Sequence, residues 1–293
     1  MSFNTEFQYL IQEIKTLGQE SKPRDMRVRE YHLGMLDLHP TDVFADFEAR
    51  KFNFKYFAGE LAWYMSKERN IDYINQFSGF WKNITNPGTN EINSNYGNLL
   101  FGEQLKWVYD SLVKDQNTRQ AIAFLNQPKF QFEGNKDFVC TMYLNFWIRN
   151  NKLYMKVQMR SNDIFYGLTY DAPFFAFVQQ HMLLWLKEHC PSLELGSYYH
   201  CADNIHFYEQ HFELADKIMA EDTDSRDGYY MNLSEPLFKI TNEGEFQLTT
   251  TGQEYINSVN LLIEQGATME DYRNLITKYL TEQCTLTTKD LIL

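Results

Sequence analysis

The stretch from Asp137 to Asp171, DFVCTMYLNFWIRNNKLYMKVQMRSNDIFYGLTYD, constrains the fold more than any other part of the chain. Residues 138–149 and 152–160 are rich in aliphatic and aromatic side chains, and Asn150-Asn151 separates them. That pattern predicts two antiparallel strands joined by a two-residue turn. In the second strand Leu153, Met155, Val157 and Met159 fall on one face, and Tyr154, Lys156, Gln158 and Arg160 on the other. Side chains alternate along a strand, so one sheet face is covered and the other is not. An apolar stretch at about 172–188 follows and predicts a helix with Asp171 at its mouth. The class is α+β, a sheet covered by helices.

The rest of the chain fits that class. Phe7, Leu10, Ile11, Ile14 and Leu17 recur at helical spacing, so residues 5–18 read as a helix. Residues 54–67 read as a buried helix carrying one acid, Glu60. Pro87-Gly88 marks a loop over 78–97. A helix near 99–114, strands at 119–125 and 193–201, and a helix over 206–219 follow. Residues 19–50 are mixed and hold Arg24, Arg27 and Arg29. Residues 220–244 read as loop, and two amphipathic helices close the chain near 251–265 and 269–281. This divides the sequence into a catalytic domain at 1–219 and a C-terminal extension at 220–293, a loop and two helices packed on the same domain.

Charge and cysteine usage exclude several function classes. The net charge is -12 and no Lys/Arg run occurs, so a polyanion such as DNA is repelled, while a small anion can still meet a local Arg cluster. The four cysteines form no C-x-x-C pair, the first twenty residues are polar, and no apolar run reaches ~18 residues. A cytoplasmic, reducing compartment without membrane contact is expected. His200, Cys201, His206 and His211 match no zinc spacing, so no metal is expected. No phosphate-binding Gly loop, nucleophile elbow or H-E-x-x-H is present.

Single residues carry two readings each. Cys140 in an apolar strand is by default a small core residue; a thiolate there needs a cation, and Arg160 lies one strand away. Glu60 either faces solvent or is a buried functional acid. Asp171 is by default an N-cap. Arg160-Ser161-Asn162-Asp163 is either a plain turn or a guanidinium and hydroxyl offered to a phosphate. Arg119 alone reads as a surface charge.

Taken together, seven ordered segments resemble the thymidylate synthase superfamily: FAGELAWYM around Glu60, Phe80-Trp81, Asn95-Tyr96-Gly97, Thr118-Arg119, Cys140, Arg160-Ser161-Asn162-Asp163, and His206-Phe207-Tyr208. Three departures, Thr141 where the family carries His, Asn162 where it carries Gly and Asp171 where it carries Asn, resemble its phage deoxycytidylate hydroxymethylase branch. The resemblance implies a mixed sheet whose open face forms a homodimer. It implies a reaction between deoxycytidylate (dCMP) and 5,10-methylenetetrahydrofolate, with Cys140 as nucleophile, Glu60 guiding water and protons, and Asp171 reading the base. Arg27, Arg160, Ser161 and the partner subunit's Arg119 would hold phosphate; Arg24 and Arg29 rival Arg27. His206 and Tyr208 would hold the sugar, Asn162 and Tyr96 would line the nucleotide site, and Trp81 and Asp163 would meet folate. The extension beyond 220 has no clear counterpart and reads as a lid, a dimer extension or a docking element for other nucleotide-synthesis enzymes.

Overall fold

A computed structural model describes residues 2–223 and 229–281; Cys284 and the rest of the extension beyond 281 lie outside the described residues. The elements in chain order are α1 (Phe3–Leu17), β1 (Gln19–Ser21), β2 (Val28–Leu38), α2 (Phe54–Ser66), α3 (Tyr96–Leu100), α4 (Glu103–Lys114), β3 (Ile122–Phe124), β4 (Thr141–Arg149), β5 (Lys152–Met159), β6 (Asn162–Asp163), α5 (Thr169–Leu186), β7 (Glu194–Tyr208), α6 (Phe212–Met219), β8 (Phe238–Ile240), β9 (Phe246–Leu248), α7 (Thr250–Glu264) and α8 (Met269–Leu280). Seven strands form one sheet in the order β1-β2-β7-β5-β4-β3, with β6 paired to β7. The β5–β7 and β6–β7 pairs are parallel and the others antiparallel, so the sheet is mixed.

The β4–β5 hairpin forms as its alternation predicts. Leu153, Met155, Val157 and Met159 are buried, and Tyr154, Lys156 and Gln158 are only partly covered. Asn150 and Asn151 both adopt positive φ, the geometry that a two-residue turn needs. Helix α5 packs on β5 and β7 and is apolar on all sides, as a central helix must be. Helix α1 lies on β2, and α4 on β3 and β4. Helix α2 forms a further layer, packed against α3, α7 and α8. One apolar core runs from Phe3 to Leu280 and takes in the last two helices.

Four stretches differ from the sequence expectation. β7 continues to Tyr208, and α6 begins only at Phe212, because β2 pairs with β7 along its whole length, to Val28 opposite Tyr208. His206 and Tyr208 are therefore strand residues. The mixed region 19–50 contains the 11-residue strand β2. The helix expected near 99–114 is broken at Gly102, whose φ of 148° suits only glycine, into α3 and α4. The loop expected over 220–244 ends in β8, and Met231, Leu233, Leu237 and Phe238 are buried.

The other sheet face has no helix on it among the described residues. Phe124, Tyr143, Gln158, Cys201 and Met35 form one row across five strands. Trp147 stacks at 5.6 Å on Tyr154 and at 5.9 Å on Tyr199. Phe124 and Met35 are more than half exposed.

Candidate active site

The hairpin places Cys140 just before β4 and Arg160 just after β5, so the two residues face each other at the open end of the ladder. The Arg160 backbone N–H donates to the Cys140 carbonyl at 2.9 Å. Its guanidinium donates to the carbonyls of Val139 (3.2 Å) and Phe138 (2.5 Å) and lies 3.4 Å from Cys140 Sγ. Burial pushes the Cys140 thiol up; Arg160 and, more weakly, Arg24 pull it down, and Asp171 and Asp137 raise it. The two cations favour the thiolate that nucleophilic chemistry needs.

Asp137 was not singled out from sequence, yet it fixes the neighbouring loop. Its carboxylate accepts from the backbone N–H groups of Asn93 and Ser94 and from the Ser94 hydroxyl, at 2.5, 2.8 and 2.7 Å. Asn95, fully buried, ties the same loop to the end of α2 by donating to the Trp63 and Glu68 carbonyls. These bonds hold Tyr96 against Tyr64 and Phe175 at 5.5 Å, beside Cys140 and Thr141. Gly97 permits that approach, since a Cβ there would lie 1.7 Å from the Tyr64 carbonyl oxygen.

Glu60 is 6% exposed, so the solvent-facing reading does not hold. Its carboxyl accepts from the hydroxyls of Tyr56 (2.6 Å) and Tyr64 (3.3 Å). Burial raises it to about 8, opposed by the Tyr56 hydrogen bond and reinforced by the nearby charge of Asp171. Glu60 is thus a protonated acid near neutral pH, poised to give and retake a proton. Asp171, raised by burial to about 6, accepts from Asn162 Nδ2 at 2.7 Å and from no other described residue.

Asp163 accepts through one oxygen from the backbone N–H groups of Phe165 and Tyr166, starting a π-helical turn at Ile164–Leu168. Its other oxygen is buried without a hydrogen-bond partner, and burial raises the group to about 7. An unpaired buried acid costs ~1–3 kcal/mol and marks a place where a ligand would supply the missing partner. Arg50 was also missed from sequence; it donates to the Phe165 carbonyl at 2.6 Å and steadies the same turn. Thr141 is fully buried, with its hydroxyl beside that of Tyr96.

The sheet register brings in the remaining residues. His206 lies opposite Asp163 on β6 and opposite Glu30 on β2. Burial lowers His206 to about 4, and its Nδ1 meets Asn204 Oδ1 at 2.9 Å. Tyr208 sits 5.4 Å from the His206 ring, and its hydroxyl feels both Asp163 and Cys140. Ser161 is half-buried between β5 and β6. Trp81 is buried edge-on to Trp63 and lies beside the Tyr56 hydroxyl that meets Glu60.

Two predicted arginines stand apart. Arg27 is an exposed side chain held by Glu20 at 2.9 Å and Glu209 at 2.6 Å. The charge that reaches Cys140, His206 and Tyr208 is that of Arg24, which makes no ion pair or hydrogen bond among the described residues. Arg119 is exposed before β3, at the sheet edge and away from this cluster.

The site therefore gathers a thiol, two arginines, a raised glutamic acid and two raised aspartates in one electrostatic cluster. A sequence profile described as thymidylate synthase matches residues 5–250. The chain belongs to the thymidylate synthase family. Among characterised relatives, the deoxycytidylate 5-hydroxymethyltransferase of Enterobacteria phage T6 is 29% identical over 220 residues, 70% of this chain and 89% of the relative. The deoxyuridylate hydroxymethyltransferase of Bacillus phage SP01 is 28% identical over 210 residues, 65% of this chain and 53% of the relative. The thymidylate synthase of Mycoplasma genitalium is 24% identical over 206 residues, 59% and 70% respectively. Membership makes the chain a one-carbon transferase, and the family uses methylenetetrahydrofolate and a nucleotide as substrates. Among the described residues no helix is long and apolar enough to cross a membrane.

The Glu60 shift predicts a measurable pH dependence of stability. Its folded value of about 8 lies above the ordinary 4.5, so its contribution is complete below pH 4.5 and is lost as pH rises through 8. Glu60→Gln cannot ionise. Urea denaturation should find the variant about 2–4 kcal/mol more stable than the parent at pH 9 and level with it at pH 4. Equal stabilities at both pH values would mean that Glu60 is not held protonated.

Proposed function

We propose that the chain is a dCMP 5-hydroxymethyltransferase using 5,10-methylenetetrahydrofolate. The observation that carries this reading is Asp171, an acid where the family carries an amide, aimed into the cluster around Cys140. Cytosine presents an amine at C4 and an unprotonated N3; uracil presents O4 and an N3–H. A carboxylate accepts from the amine but opposes O4, and a protonated acid donates to N3. A mismatch at a buried polar contact costs ~1–3 kcal/mol, enough to select the base. The phage relatives named for deoxycytidylate hydroxymethylation support the assignment.

The chemistry then follows thiolate logic. Cys140 Sγ adds to C6 of the ring, and C5 becomes nucleophilic toward the one-carbon unit. A proton leaves C5 and the folate amine departs, which opens an exocyclic C=C bond. Water adds to that carbon, and Cys140 Sγ leaves C6 with its bonding electrons as the aromatic ring re-forms. Glu60 manages the water and the proton transfers. The Thr141 hydroxyl, next in sequence to the nucleophile, would offer that water a hydrogen bond. The unpaired oxygen of Asp163 would accept from the folate ring, with Trp81, beside Tyr56, on the folate side.

Arg160, Ser161 and Arg24 would hold the 5′-phosphate, and His206 and Tyr208 the sugar. A second copy would cover the aromatic outer face of the sheet and bring its own Arg119 to the phosphate. The exposed row from Phe124 to Met35 supports this homodimer, because apolar faces of this kind mark interfaces.

Three experiments test the reading. The purified protein is incubated with methylenetetrahydrofolate and dCMP or dUMP, and the products are weighed. Gain of CH₂O on dCMP without dihydrofolate is expected, whereas CH₂ with dihydrofolate would make it a methylase. In the same assay Asp171→Asn should move the kcat/KM preference toward dUMP, and an unchanged ratio would remove the basis of the base assignment. Second, Arg24→Ala should raise the nucleotide KM about tenfold or more, and Arg27→Ala only slightly, as expected for a lost charged hydrogen bond; the reverse order would restore Arg27. Third, mixing inactive Cys140→Ala and Arg119→Ala subunits should recover roughly a quarter of the wild-type activity through hybrid dimers. No recovery would place Arg119 outside the partner's site.

A further inference from the structure

Behind Asp171 a chain of hydrogen bonds runs into the core. Asn162 Nδ2 meets Asp171 Oδ2 at 2.7 Å, Asn162 Oδ1 meets His200 Nε2 at 3.0 Å, and His200 Nδ1 meets the Tyr198 hydroxyl at 2.6 Å. Asn162 is 3% exposed, His200 1% and Tyr198 fully buried, so water cannot replace any link. The amide lies against the bare Cα of Gly167: a Cβ there would be 2.5 Å from Asn162 Nδ2 and 3.1 Å from Asp171 Oδ2. Nothing assigns a role to His200 or Tyr198.

Donor and acceptor inventory fixes the sense of this chain. Neutral imidazole has one donor and one acceptor nitrogen, and an amide has a donor end and an acceptor end. Burial keeps His200 neutral, near 3. An ionised Asp171 needs a donor, so Asn162 presents its NH₂. Its oxygen then accepts from His200 Nε2–H, and His200 Nδ1 accepts from the Tyr198 hydroxyl. In the opposite sense a protonated Asp171 donates to a flipped amide, and His200 carries its hydrogen on Nδ1. The two senses are distinct hydrogen-bond states, and the Asp171 edge offered to a base differs between them.

We propose that His200 is a positioning residue for base recognition: through Asn162 it holds Asp171 as the acceptor that selects cytosine over uracil. This rests on the reading that Asp171 meets the nucleobase. Without the His200 donor the amide is free to turn, Asp171 is no longer fixed as an acceptor, and the opposition to uracil O4 falls.

The test combines a tautomer measurement with a specificity ratio. ¹⁵N NMR of histidine-labelled enzyme at pH 7.5, with His200 assigned through Tyr198→Phe, should find the neutral Nε2–H tautomer. His200→Phe should cut the ratio of kcat/KM for dCMP over dUMP roughly tenfold. His200→Gln, whose amide still donates to Asn162, should retain most of it. A merely structural role would lower both substrates equally. If His200→Phe does not fold, Tyr198→Phe serves in its place: it should lower the Nε2–H fraction and move the ratio in the same direction. An Nδ1–H tautomer in the parent, or a ratio that neither variant moves, overturns the proposal. A parent with no preference for dCMP sinks the base reading itself and this proposal with it, whereas a preference that the variants leave intact sinks only the role of His200.

Discussion

The placement of the Arg160 guanidinium is the constraint on which the rest of the site depends. It spans two carbonyls ahead of Cys140 and lies against the sulfur, while its backbone N–H closes the ladder between β4 and β5. One side chain therefore fixes the segment that leads into Cys140 and supplies the positive charge at its sulfur. The Phe138 ring, 4.9 Å from the guanidinium, stacks on it and limits its swing. A lysine has neither the fork nor the flat face to do all of this.

Around that fixed point the fold accumulates acids that burial keeps from ionising freely. Glu60, Asp163 and Asp171 all lie above their ordinary range through burial, and the charge of Asp171 raises the other two further. Neutral histidines at His200 and His206 face them. A site of this kind is costly to fold and ready to exchange protons, which is the usual balance between stability and activity.

The hairpin was legible through its clean alternation, and the Glu60 helix and the central helix through their long apolar runs. β2 was not, because VREYHLGMLDL places Leu33 and Met35 on the exposed side, and its partner β7 lies some 170 residues on. The strand end at His206–Tyr208 was hidden for the same reason: only pairing with β2 and β6 makes it a strand. Glu60 stood out as an acid in apolar text, whereas Cys140 and Asp171 stood out only through the resemblance, since alone each has an ordinary structural reading. Asp137, Arg50 and His200 did not, since their work is done through hydrogen bonds to residues distant in sequence. Choosing among Arg24, Arg27 and Arg29 needed the turn geometry, where Arg24 takes a positive φ and Arg27 is claimed by two glutamates.

The last two helices enclose α2 from the side away from the sheet. Tyr255 of α7, fully buried, donates to the Ala58 carbonyl at 3.0 Å, two residues before Glu60, and α8 packs along the same helix. Glu60 therefore sits on a middle layer rather than an outer one. The C-terminal helices are thus joined to the helix that carries Glu60 by a hydrogen bond that spans 197 residues of sequence.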